Sequence, residues 1–219
     1  MLKLLKWPWA IAAVTLAAGL YSYLQIEPGT LVPVHWNIDG EIDKTSDPLG
    51  AFLAVPIVFS ITLLVLSALK HLEPRAENLE QSAKAFKAIT IGVSIVIMIA
   101  QGMIISAAFG YTTITVNTLV GGIGLMFAVM GNYLGKLKST FFIGIRTPWT
   151  LSSENVWKKT HRLAGKLYVM LGIIILAVSF VIAANQLSYV LIALVLPAAL
   201  FPLAYSWYVW KQEQNEIIE

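Results

Sequence analysis

The chain has 219 residues, 58% of them hydrophobic and 12% charged. So few charges cannot cover the surface of a water-soluble domain of that length, and a net charge of +3 does not point to direct nucleic-acid binding. With no cysteine there is no disulfide framework, thiolate nucleophile or cysteine-ligated metal.

Lys3 and Lys6 precede the first apolar run, as in a signal peptide. The run from Trp7 to Ile26 is longer than a signal-peptide core and no clear cleavage site follows it, so it reads as a retained first span. Five further stretches are long and apolar enough to cross a bilayer: Leu49–Leu69, Ala88–Gly110, Thr113–Leu134, Leu167–Ala184 and Leu187–Trp210. None of the six holds Asp, Glu, Lys, Arg or His. The expected fold is an all-α integral membrane protein, a six-helix transmembrane bundle with a cytoplasmic interfacial amphipathic helix. The short third-to-fourth and fifth-to-sixth connections predict helical hairpins.

Charge gives this bundle a direction. With six spans, 14 of the 15 Lys and Arg residues fall on one side and only Lys44 on the other. That places the N- and C-termini in the cytoplasm. Trp7, Trp9, Tyr21, Tyr23, Tyr205, Trp207, Tyr208 and Trp210 lie near span ends, where amphipathic rings suit the headgroup zone.

Polar residues inside the spans need partners. Gln101 is mid-span and is expected to join two helices; Asn117 and Asn185 lie near the outer face, where water can serve them; Asn132 lies near the inner face. Gly121, Gly122, Gly124 and Gly131 predict close backbone approach along the fourth span. Pro56, Pro197 and Pro202 are candidate kinks. No ionisable residue sits at membrane depth, which argues against a proton relay.

Two loops carry the remaining information. The outer one, Glu27–Pro48, reads as extended over Leu31–Asn37 because Pro28 and Pro33 exclude a helix there. Asp39-Gly40 is a turn signal, and Thr45-Ser46-Asp47-Pro48 can cap the next helix. His35, Asp39, Glu41 and Asp43 are conceivable ligands for a metal or a cationic peptide, but the spacing is not that of a metal site and a solvated acidic face is the simpler reading. The cytoplasmic loop, Gly135–Lys166, has Thr147-Pro148 as a helix breaker and Ser152 or Ser153 as an N-cap ahead of Glu154. Val156, Thr160, Leu163 and Leu167 then share a face, with Lys158, Lys159, Arg162 and Lys166 over much of the rest. A basic amphipathic helix leading into a span suits anionic lipid; Arg146 beside Trp149 offers instead a docking surface for a cytoplasmic protein.

These loops resemble family signatures. Pro33-Val34-His35-Trp36-Asn37-Ile38-Asp39-Gly40 is similar to the P-x-H-W-N-x-x-G motif of a small domain of unknown function that often begins SdpI-type proteins. Gly131-Asn132-Tyr133-Leu134-Gly135-Lys136, Gly144-Ile145-Arg146-Thr147-Pro148-Trp149-Thr150-Leu151, Glu154-Asn155-Val156-Trp157 and Thr160-His161-Arg162-Leu163-Ala164-Gly165 resemble the signature of the SdpI family. The resemblance implies two parts: an N-terminal helical pair with its outer loop, residues 1–87, and a four-helix membrane region with the G-I-R-T-P-W-T loop, residues 88–219. It also implies a bacterial membrane protein that confers immunity to a secreted peptide toxin and recruits a cytoplasmic ArsR-type repressor to the membrane. The outer candidates for recognition are then His35, Trp36, Asn37, Asp39 and Gly40. The cytoplasmic candidates for docking are Asn132, Gly144, Arg146, Thr147, Pro148, Trp149, Trp157, His161 and Arg162.

Two other classes compete. A small-solute or lipid transporter is motivated by the prolines of the second and sixth spans with Gln101 and Asn132. An enzyme is disfavoured, because His35 and His161 fall on opposite faces and no nucleophile–base pair or metal motif is present. No cofactor is implied.

Overall fold

The computed structural model describes residues 3–218, so the outermost ends of the two expected parts, residues 1–2 and 219, lie outside the described residues. The chain runs α1 (Lys6–Gln25), β1 (Val32–Trp36), β2 (Ile42–Ser46), α2 (Pro48–Leu72), α3 (Ala76–Gln81), α4 (Ala83–Ala108), α5 (Val116–Leu134), α6 (Pro148–Ser152), α7 (Glu154–Val181) and α8 (Ala184–Ile218). The fold is that of a helical membrane protein. Five helices among the described residues are long and apolar enough to cross a bilayer: α2, α4, α5, α7 and α8.

α1 is the sixth long helix. Its 20 residues would reach about 30 Å at 1.5 Å per residue. Trp, Tyr, Thr and Ser dilute its apolar character, which leaves it outside that group of five. It nevertheless runs the length of the bundle. Leu5 and Ala12 pack with Phe59, Leu63 and Phe86 near one end, and Gly19 lies against the backbone of Phe52 further along, where a Cβ would come within 2.4 Å of the Phe52 carbonyl oxygen.

The ends of the helices gather into two regions. One holds the β-hairpin, the 109–115 turn and the α7–α8 turn. The other, the basic end, holds the N-terminus of α1, α3, the 135–153 loop with α6, and the start of α7. The exposed flanks between them are apolar: Val58, Leu64, Ile173, Phe180, Leu200 and Phe201 are each at least half exposed, as expected of surfaces facing lipid.

The most intimate pair is α5 with α7. A Cβ on Gly131 would stand 2.5 Å from the Val169 amide nitrogen, one on Gly124 2.6 Å from that of Leu176, and one on Gly172 2.2 Å from that of Ala128. The two backbones therefore meet directly, the contact that replaces hydrophobic driving force between helices in lipid. The sequence indicates the α5 half of this seam; on α7, Gly165 and Gly172 stand apart from one another and give no comparable signal.

Gln101 has a specific task. Pro56 has no N–H, so the carbonyl four residues earlier in α2, that of Phe52, lacks its helical donor. The Gln101 Nε2 donates to that oxygen at 3.0 Å. An amide on α4 thus repairs the gap that a proline opens in α2. Asn117, expected to be hydrated, instead donates to the carbonyls of Ser179 and Ile182 at 2.9 Å each. Those oxygens lie at the C-terminal end of α7, where carbonyls run out of helical donors. Asn185 is exposed.

Three local expectations change. Thr147-Pro148 does not break a helix but starts one: Thr147 is the N-cap of α6 and Pro148 its first residue, where a missing N–H costs nothing. The basic stretch from Glu154 is the first part of one continuous 28-residue helix, α7, with no separate element between it and the span. The last helix continues past Trp210 to Ile218, with Pro197 and Pro202 inside it.

Candidate functional site

At the hairpin end, β1 and β2 pair antiparallel, with Val32 opposite Ser46 and Trp36 opposite Ile42. Val32 is fully buried against Ala51, Phe52 and Ile104, which anchors β1 to α2 and α4. The turn is organised by Asn37. Its Oδ1 accepts from the amides of Asp39 and Glu41, both at 2.9 Å, and its own amide donates to the Glu41 carbonyl at 2.8 Å. Gly40 has φ +80°, a left-handed conformation that suits glycine. Asn37 and Gly40 are therefore turn-forming residues. His35 is exposed and its Nδ1–H donates to the Asp43 carboxylate at 2.6 Å. That contact holds the Asp43 carboxyl below the usual carboxylate range. Asp39 is exposed at the tip. Asp47 caps α2, its carboxylate accepting from the Gly50 amide at 2.9 Å, as Thr45–Pro48 suggested.

Trp36, Gly40 and Ile42 form one wall of a mostly apolar groove of about 380 Å³. Met103, Tyr111, Ile114 and Ala184 form the other. The hairpin tip reaches the start of α8, where a Cβ on Gly40 would lie 3.2 Å from the Ala184 methyl carbon.

At the basic end, the 135–153 loop is fastened at four places. The buried Glu73 carboxylate accepts from the amides of Arg75, Phe141 and Phe142 at 2.9–3.0 Å. Arg75 donates to the Ser139 hydroxyl, and to the Leu151 carbonyl at 3.1 Å. Asn78 donates to the Ser139 carbonyl at 2.7 Å. The Ser82 hydroxyl accepts from the Lys138 amide at 3.0 Å.

The signature residues hold the loop from the other side. His161 is fully buried and stacks on Trp157, ring centroids 3.9 Å apart. Its Nδ1–H donates to the Trp157 carbonyl and its Nε2 accepts from the Ile145 amide, both at 2.9 Å. This pattern requires the neutral imidazole, because a proton on Nε2 would face an N–H. The Trp157 indole donates to the Leu137 carbonyl at 2.8 Å. Gly144 lies over both rings at φ +113°, and a Cβ there would come within 2.6 Å of His161 Nε2. Thr147 and Thr150 close a capping box, and the Thr147 hydroxyl meets that of Ser206 on α8 at 3.0 Å. Ser153 caps α7, accepting from the Val156 amide at 3.2 Å.

The cytoplasmic candidates thus divide. Gly144, Thr147, Trp157 and His161 point into the loop's own structure. Asn132, Arg146, Pro148 and Arg162 are exposed and Trp149 is half-buried. Arg146 donates to the Phe141 carbonyl at 3.2 Å. The structure does not join this group to the hairpin residues, which lie at the other end of the bundle. Glu73, Arg75, Asn78 and Ser206 were not singled out from sequence. An acid in the H-L-E-P-R connection reads as solvated, and only the distant partner at residues 141–142 reveals otherwise.

A helical bundle with two worked ends and lipid-facing flanks defines a multi-pass membrane protein. Residues 136–206 match the SdpI/YfhL protein family. The chain is also 28% identical over 194 residues to the immunity protein SdpI of Bacillus subtilis (strain 168), covering 88% of each chain. Both likenesses agree with the resemblance of its loop signatures to the SdpI family. No solved structure matches it.

Proposed function

We propose that this chain is a membrane immunity protein that protects its cell from a secreted antimicrobial peptide and signals by holding a cytoplasmic repressor at the membrane. The observation that carries the reading is the likeness to the immunity protein of Bacillus subtilis over 88% of both chains. The reading takes α1 as a sixth span and puts both termini on the cytoplasmic side of a bacterial plasma membrane. The one-sided Lys and Arg distribution supports that orientation. It also takes the first turns of α7, with exposed Lys158, Lys159 and Arg162, as lying at the cytoplasmic headgroup level.

In this topology the hairpin faces outward. The groove beside it, edged by Trp36 and Tyr111, with the exposed acids Asp39 and Glu41 next to its Gly40 in the chain, suits an apolar peptide with basic residues. The cytoplasmic face presents Arg146 and Pro148 on a loop stiff enough to act as a docking platform, with Arg162 exposed on α7, and a soluble ArsR-type repressor is the partner. The role is binding, not catalysis, and DNA is reached only through the partner. His35 and His161, the two histidines in the signatures, serve the hairpin and the loop respectively.

The test is survival. A strain sensitive to secreted killing peptides, expressing this chain, keeps its membrane potential and grows on challenge. Unchanged killing across the peptides tried would remove the immunity role. Recruitment of a fluorescent repressor to the membrane tests the signalling role separately, with loss expected in Arg146→Ala.

A further inference from the structure

We propose that the basic end carries a binding site for one anionic phospholipid, seated in the groove between the end of α5 and the first half of α7. This goes beyond the immunity reading and does not rest on it. The groove has a volume of about 650 Å³ and is lined by Gly131, Asn132, Gly135, Lys136, Arg162, Gly165, Lys166, Val169 and Met170. Its floor lies where the two backbones touch: a Cβ on Gly165 would lie 2.8 Å from the Gly131 carbonyl oxygen. Only glycines permit that approach, and their missing side chains leave the channel open along the seam.

The lining is graded along the helices. On α7, Arg162 and Lys166 are one turn apart, and Val169 and Met170 follow one turn deeper, on the same side. On the α5 side, Lys136 stands at the open end and Asn132 one turn deeper. Cations thus lie at the level of the helix end, an amide donor below them, and an apolar wall deeper still, with Met170 more than half exposed. A phospholipid has the same order: phosphate, glycerol and ester, acyl chain.

The cations are available. Among the described residues, Lys136, Arg162 and Lys166 are in neither the His35–Asp43 nor the Lys158–Glu154 ion pair and have no carboxylate partner. Lys136 rests over the Tyr133 ring, 5.1 Å from its centroid, a contact that a flexible ammonium can exchange for a phosphate. Arg162 supplies the planar fork that recognises phosphate oxygens in pairs. The charges select an anionic headgroup over a zwitterionic one. The apolar wall selects a lipid over a free phosphate.

The full chain, purified in neutral detergent, is titrated with phosphatidylglycerol and with phosphatidylcholine of the same acyl chains, and bound lipid is counted by native mass spectrometry. Glycerol phosphate serves as the soluble headgroup competitor. Phosphatidylglycerol is expected to be retained about tenfold more tightly than phosphatidylcholine, and that preference to fall about tenfold in R162Q/K166Q, in line with the loss of two near-surface cations. K159Q, exposed on the same helix but outside the groove, keeps it. K136Q tests the α5 side with α7 untouched and is expected to lose part of the preference. Equal retention of the two lipids, or equal retention by the wild type, R162Q/K166Q and K136Q, overturns the proposal. Competition by glycerol phosphate at the affinity of the intact lipid overturns its lipid part.

Discussion

The hairpin and the 135–153 loop use polar residues in opposite ways. Both are short, lie at the ends of the bundle and carry the most distinctive sequence in the chain. The hairpin is pinned by one buried side chain, Val32, while β2 is largely exposed. The loop is tied to α2, α3, α4, α7 and α8, and Glu73, Thr147, Thr150 and His161 are all buried. A dense signature therefore marks self-recognition in one region and leaves a free face in the other. A family motif is not by itself a map of contacts with partners.

The contrast can be broken by substitution. Gly144→Ala combines a side chain at φ +113° with overlap onto His161 and Trp157. A cost of about 4 kcal/mol in global stability is expected from strain and overpacking together, read as loss of folded protein in detergent melting curves. Glu73→Ala leaves two loop amides and that of Arg75 without their acceptor; about 3 kcal/mol is expected, on the scale of buried donors left unsatisfied. Hydrogen exchange should show deprotection at residues 141–142 well away from the substitution. If either variant melts like the wild type, the loop is not the fastened structure described.

The hairpin should respond locally. Asn37→Ala removes the acceptor of two turn amides and is expected to cost about 1 kcal/mol, confined to faster exchange at residues 37–41 with the bundle's melting unchanged. The smallest effect concerns pH. The Asp43 carboxyl has its pKa lowered in the fold, so its stabilising contact with His35 is fully present above the ordinary value of 3.8 and is lost as pH falls through the lower folded value. Hairpin exchange should quicken over that acidic range, and His35→Ala should abolish the pH dependence. A global destabilisation by Asn37→Ala would erase the distinction between the two ends.

The long apolar helices were legible because a bilayer demands continuous apolar runs, and the extended stretch and turn of the hairpin, though not its second strand, because Pro28, Pro33 and Asp39-Gly40 act over a few residues. Caps were equally local: Ser152 or Ser153 and the stretch Thr45–Pro48 were readable as caps, and the structure selects Ser153 and Asp47. What escaped depended on partners far along the chain. The buried role of Glu73 needs residues 141–142, the α5–α7 seam needs glycines on both helices in register, and the task of Gln101 needs the proline of another span. Thr147-Pro148 reads as a breaker because proline ends a helix from inside, but at the first turn it begins one. α1 shows the limit of composition: its aromatic and polar residues weaken the apolar signal, although Leu5, Ala12 and Gly19 fit it against its neighbours.

Glu73 also imposes an order on how the protein is made. The carboxylate emerges from the ribosome with α2, while the amides that hold it from the far side lie 68 and 69 residues later. Between them the α4–α5 hairpin must be synthesised and brought back to the same end of the bundle. Until then a charged side chain waits at the helix end with its long-range bonds unmade. A nascent chain halted before residue 141 therefore has an incomplete basic end.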